Sequence, residues 1–383
     1  MPTTIKRMLL RNLFLLLSFF LFAPGLLLAG DPEDVIRDTA SVVAREPEQI
    51  HENSGKFDAG KTIIEHITDA HDWHVIGHFS IPLPVIIYHP DRGLSVFSSG
   101  KFHHGENTYG GYMLKGQKIM AVQETESIPV SQATVDEAAS EKVWDFSITK
   151  NVLSLFISCA LLFFIFYTVA KTYQKREGLA PKGLQSLVEP LIIFVRDDIA
   201  RSSIGEKHYK KFLPFLLTVF FFIWINNLLG LIPIPLIGGT NLTGNIGVTL
   251  TLAVFTFVIT TISANKNYWQ HVFAMPGVPV GILFLLTPIE ILGVFLRPFV
   301  LMIRLFANIT AGHIIALSFF SLIFIFGEMS TGLGFGVAVV SLAFTIFMTA
   351  LELLVAFLQA YVFTLLSAIY FGSAVEEHHG DHH

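Results

Sequence analysis

Residues 297–313 read RPFVLMIRLFANITAGH. They lie inside an apolar run over residues 280–326 whose only charged side chains are Glu290, Arg297 and Arg304, with His313 as a further titratable group. An Arg near the centre of a lipid-embedded helix costs roughly 2.5–3.5 kcal/mol on insertion scales. Such a residue faces protein or water and marks an ion or substrate pathway. Arg297, just before Pro298, also suits snorkelling to an interface near a helix end. Arg304 suits that reading less well and is the candidate functional residue.

Composition agrees with a membrane setting. The 383 residues are 52% hydrophobic and 14% charged, with 36 Phe, and mean hydropathy is +0.60. That is a polytopic membrane protein rather than a soluble enzyme. A net charge of −5 implies no nucleic-acid partner. The single cysteine, Cys159, excludes an intramolecular disulfide and a Cys-based metal site.

Two apolar runs are too long for one upright crossing. Residues 280–326 and 335–371 would extend roughly 70 Å and 55 Å as helices, where about 20 residues suffice. Either the first run breaks into two short spans, or both are tilted helices of one hairpin. Pro288 and Pro298 can kink the first run without ending it, and Gly327, Gly332, Gly334 and Gly336 supply a turn. In a hairpin, facing residues are equidistant from the turn. Arg304 and Gln359, and also His313 and Glu352, are each equidistant from a point near residue 332. Arg304 and Asn308 share a helix face, as do Glu352 and Gln359.

Earlier in the chain, residues 1–30 carry a basic start (Lys6, Arg7, Arg11), an apolar stretch and the small pair Ala29-Gly30. This is a secretory signal pattern, cleaved or retained as an anchor. Residues 31–143 are polar, with strand-like alternation over 80–88, and read as a small extracytoplasmic region. Eight of the 15 histidines lie there. Their spacing matches no metal-ligand pattern, so they are expected as solvated side chains and no metal is assigned. Trp144-Asp145 marks the approach to the first span, over 152–170. Nine Lys or Arg against five Asp or Glu in residues 171–211 place that loop in the cytoplasm. Within it, Leu184, Leu187, Val188, Leu191, Ile192, Val195 and Ile199 form an amphipathic surface helix. Further spans are expected at 212–232 and 246–262, with 263–279 inside. The tail 373–383 is rich in His and acid and is expected inside.

At this point the chain resembles the subunit a family of F-type ATP synthases, over about 144–372. RPFVLMIRLFANITAGH is similar to that family's K/R-P-x-x-x-x-x-R-L-F-x-N-x-x-A-G-E/H signature. ELLVAFLQAYVFTLLSAIYF resembles its last helix, and NNLLGLIPI the end of its second span. The resemblance implies an all-α polytopic fold of five transmembrane helices, the last two a long tilted hairpin. It implies a proton-translocating stator subunit of a bacterial inner membrane, with two offset half-channels serving a rotor-ring carboxylate. Arg304 would face that carboxylate, with Gln359 and Asn308 beside it. Glu290 would line the cytoplasmic half-channel and Asn227 the external one. His313 and Glu352 look exchanged relative to many bacterial members, which carry Glu first and His second. The partners implied are the rotor ring of c subunits, the peripheral-stalk subunit b and the rest of the synthase. No catalytic site in this chain and no cofactor are implied. No Walker, H-E-x-x-H or G-x-S-x-G motif occurs, which argues against ATP cleavage or intramembrane hydrolysis by this chain. No pair of similar halves supports a secondary transporter.

Overall fold

The computed structural model describes residues 60, 69–76, 79–116, 118–176, 179–231, 242–275 and 278–376. The signal segment 1–30 and residues 377–383 of the tail fall outside the described residues. The chain divides into two units, one built on residues 56–157 and one on 158–228 with 243–383.

The first unit is small and β-rich. Strands β1 (Asp72–Ile76) and β2 (Phe79–Pro82) form an antiparallel hairpin. Strands β3 (Pro84–His89) and β4 (Gly93–Ser98) form a second. Strands β5 (Tyr112–Lys115) and β6 (Lys118–Ala121) form a third. The short β7 (Trp144–Asp145) adds to β3, giving the order β4-β3-β7. The alternation expected over 80–88 is real and runs through buried Leu83, where the strand breaks into two halves that pair with different partners. Val85, Ile87, Phe102, Tyr112, Ile119 and Ala121 make the core.

Two histidines expected in solvent are instead buried. His71 Nε2 lies 2.9 Å from Asp145 Oδ2. His89 Nε2 donates to the Ala139 carbonyl at 3.1 Å and its Nδ1 accepts from Asp91 N at 3.1 Å. Burial alone would raise the Asp145 pKa, but the hydrogen bond and charge of His71, with Ser147, hold it below the usual carboxylate range. Among the described residues, no group of three or more His, Cys, Asp or Glu is arranged to hold a metal.

Helix α1 (Lys150–Lys175) leaves this unit and enters the second. There follow α2 (Leu184–Phe194), a π-helical segment (Val195–Arg201), a single turn (Ser202–Ile204), α3 (Tyr209–Leu231), α4 (Ile246–Ser263), α5 (Lys266–Phe273), α6 (Val280–Met329) and α7 (Thr331–Val375). Among the described residues, five helices (α1, α3, α4, α6 and α7) are long and apolar enough to cross a membrane. This is a helical, multi-pass membrane protein. The expected amphipathic helix is present but broken. Val188, Val195 and Ile199 are buried, while Leu184 and Leu187 are exposed. Pro190 removes a backbone donor inside α2, and the helix widens into the π segment one turn later.

Both long runs are continuous helices, of 50 and 45 residues, or about 75 Å and 68 Å. Only Ser330, in an extended conformation, separates them. The hairpin solution therefore holds, with Pro288 and Pro298 inside α6. The turn falls two residues before the expected centre. A Cβ on Gly334 would sit 2.8 Å from the Gly327 Cα, so the backbones nearly touch there and only glycine fits.

Helix α3 is the central element, with Phe212, Leu216, Phe220, Phe221, Phe222, Ile223 and Asn226 all buried. Phe212 stacks on Phe371 at 4.7 Å, and Phe220 and Trp224 pack on Phe357. Asn227 reaches Ala356, so α3 and α7 run antiparallel. Thr256 on α4 meets Ser367 and Asn265 N donates to Ala374 O at 2.8 Å, so α4 and α7 run parallel. The start of α3 and the ends of α4 and α7 thus lie on one side.

Candidate functional site

Helix α6 sets its polar residues by its own packing. Leu301 and Leu305 turn inward, each 1% exposed. That phase turns Arg304 and Asn308, four residues apart, to the open face, since i and i+4 share a stripe. Among the described residues, Arg304 has no ion pair and no hydrogen bond joins it to Gln359. Gln359 lies on the buried face of α7. The hairpin was expected to bring Arg304 to Gln359; the structure puts Arg304 on the exposed face of α6 and Gln359 among the buried side chains of α7.

The second expected pair does meet. His313 Nδ1 and Glu352 Oε1 are 4.0 Å apart, with both side chains largely enclosed. Glu352 Oε1 is buried and accepts no hydrogen bond. Gly312 makes the room, because a Cβ there would stand 2.7 Å from that same oxygen.

One turn along α7, the Ala356 carbonyl accepts from Asn227 Nδ2 at 3.2 Å. The other side of the Asn227 amide accepts from the Thr243 hydroxyl. Thr310, one turn before His313, donates to the Gly244 carbonyl at 3.4 Å. The end of α3, the turn Leu242–Gly244, α6 and α7 thus converge on one polar cluster that holds Asn227, His313 and Glu352. Thr243 and Thr310 carry no signal in the sequence, because threonine is common in apolar helices and bonds its own backbone there.

A second polar cluster lies toward the opposite end of α6. Arg297 stands over the ring of Tyr370, 6.0 Å from its centroid. Thr256, Thr260, Tyr268, Arg297, Pro298 and Tyr370 line a small cavity. Burial raises the pKa of the Tyr268 hydroxyl, with Arg297 lowering and Glu290 raising it in turn. Glu290 is half-buried two turns before Arg297. Arg297 therefore has an aromatic partner, and Tyr268 and Tyr370 were missed because tyrosine is expected at any membrane boundary.

Chemically, the two clusters offer titratable or hydroxyl groups at different levels of α6, with the open-faced Arg304 between them in sequence. A guanidinium stays charged at any relevant pH, while a carboxyl and an imidazole can each take up and release a proton.

Comparisons with known proteins bear on the same region. A family model described as ATP synthase A chain matches residues 152–372. A second, described as a domain of unknown function, matches residues 62–146. The chain is similar to an ATP synthase subunit a of Chloroherpeton thalassium, 44% identical over 245 residues, which cover 62% of this chain and 70% of the relative. It is 48% identical over 246 residues to an ATP synthase subunit a 2 of Chlorobaculum tepidum, covering 63% and 66%. A subunit a of an Anaeromyxobacter species is 39% identical over 248 residues, covering 62% and 57%.

Proposed function

Because the chain belongs to the ATP synthase A chain family, we propose that it passes protons between two offset half-channels and a rotor-ring carboxylate of an F-type ATP synthase. The observation that carries this reading is Arg304, a guanidinium on the exposed face of α6 with no ion pair among the described residues. A continuous water path would short-circuit the membrane potential. Two half-channels joined only through a moving carboxylate avoid this. Arg304 favours the ionised rotor carboxylate, so it promotes proton release, and its fixed charge repels a proton crossing directly. Gln359 and Asn308 adjust its surroundings. Asn227, His313 and Glu352 form the external path, and Glu290 the cytoplasmic one. The potential supplies about 2.3 kcal/mol per proton per 100 mV.

The partners are the c ring against α6 and α7, subunit b of the peripheral stalk, and the remainder of the synthase. The membrane is the bacterial inner membrane. Residues 1–30 are the export signal, 31–143 the extracytoplasmic region, 144–372 the membrane domain and 373–383 a cytoplasmic tail. The chain itself holds no catalytic site.

The test is substitution of Arg304. Arg304→Ala assembles but loses ATP-driven proton pumping and ATP synthesis. Arg304→Lys fails too, because an ammonium lacks the planar fork and deprotonates when desolvated. Near-normal pumping by either variant rejects the assignment.

A further inference from the structure

We propose that the outer face of the β4-β3-β7 sheet is a lipid-docking surface that sits in the headgroup layer of the bilayer beside the entry of α1. The inner face of this sheet is the core, where Val85 and Ile87 are fully buried. The outer face is apolar as well. Tyr88 pairs with Leu94 and with Trp144, and Ile86 pairs with Val96. Phe146 continues the last strand, its N donating to Ile86 O at 2.8 Å. Leu94 is 66% exposed, Val96 62% and Trp144 59%. A small antiparallel sheet ordinarily shows water a polar face. A contiguous exposed apolar face marks a protein or membrane contact.

What names the occupant is continuity with a membrane span. The pairing with β3 persists to Ile148, whose N donates to Pro84 O at 3.0 Å, and α1 begins at Lys150. The start of α1 is tied back to the same unit, with Lys150 N donating to Ala70 O at 2.8 Å and Asn151 N to Asp69 Oδ1 at 3.0 Å. Phe146 is therefore at most about 14 Å from the helix start, at about 3.5 Å per residue. These bonds hold the sheet to the first turn of α1. Its chemistry fits that boundary. Trp144 stacks on Phe146 at 6.4 Å with Tyr88 alongside, and Trp and Tyr concentrate where one end of a ring is apolar and the other wet. Charge is kept to the rim, where Lys142 pairs with Asp91 at 3.3 Å.

The inference needs only that α1 spans the membrane, and it holds whichever ion the protein carries. Spin labels at Leu94→Cys and Val96→Cys, in a Cys159→Ser background, test it in the assembled complex. The complex is reconstituted in phosphatidylethanolamine–phosphatidylglycerol vesicles. Glu126→Cys, on an exposed loop of the same unit, is the aqueous reference. The labels at 94 and 96 should collide with dissolved oxygen several-fold more, relative to a water-soluble nickel chelate, than the label at 126. Nickel collisions equal to those at 126 would mean the face meets water and overturn the proposal. Labels shielded from both reagents would mean that protein covers it, and would overturn it equally.

Discussion

His313 Nδ1 on α6 stands 4.0 Å from Glu352 Oε1 on α7, across a hairpin whose turn is the single residue Ser330. The carboxyl oxygen is buried with no hydrogen bond of its own, so the imidazole is the titratable group placed to exchange a proton with it. The two are expected to titrate as a coupled pair.

That relationship gives a double-mutant cycle. His313→Glu and Glu352→His should each slow ATP-driven proton pumping, because each leaves two like groups in one pocket. The double exchange restores one acid and one imidazole and should recover part of the loss. The coupling should be about 0.5–3 kcal/mol, the range for residues in contact. Harmless single changes would remove the relay role, and losses that simply add would remove the contact.

Side-specific cysteine labelling checks the arrangement across the membrane. With Cys159 replaced, Ser330→Cys should react with an impermeant maleimide added outside sealed cells. Lys207→Cys should react only after the cells are opened. The packing directions put the start of α3 and the end of α7 on one side, and the basic loop assigns that side to the cytoplasm. Labelling of both positions from one side contradicts the five-crossing hairpin.

Gly372 tests the seating of α7. A Cβ there would overlap the Ser203 carbonyl oxygen and stand 3.5 Å from the Ile204 Cα. These are backbone atoms and cannot rotate away. Gly372→Ala should lower the amount of assembled chain and its melting temperature, despite a gain in helix propensity of about 1 kcal/mol. Gly293→Ala meets nothing within 4 Å and should be neutral or mildly stabilising. Equal behaviour of the two variants would show that the close approach is absent.

Asp145 predicts an acid dependence in the β-rich unit. Its folded pKa is depressed. Its contribution is therefore complete above the unfolded value, about 3.9, and is lost as pH falls through the folded value. Asp145→Asn removes a hydrogen bond to a charged group, worth about 1.5–3 kcal/mol. Hydrogen exchange of residues 69–147 in the intact chain should be faster in the variant at pH 5 and above. The difference from the parent protein should shrink below pH 4. A difference that stays constant into acid would show that Asp145 is not the titrating group.

The residue order alone determined that this chain is a bundle of membrane helices, and it did so for a physical reason. A bilayer core leaves backbone amides no partner except each other, so an apolar run of sufficient length must be helical. It also brought His313 opposite Glu352, because an antiparallel hairpin of two regular helices reduces to distance from a turn. Tertiary structure decided the rest. The turn at Ser330 comes from the near-contact of Gly327 and Gly334, and one unspecific glycine among four does not reveal its partner. Asn227 bonds a backbone carbonyl 129 residues away, and carbonyls have no letter in a sequence. His71 finds Asp145 across 74 residues, so a histidine that reads as solvated is buried. Arg304 was legible as unusual, but its open face follows from Leu301 and Leu305 turning inward. Local periodicity states which residues share a face; only packing against the other helices states which face is left open.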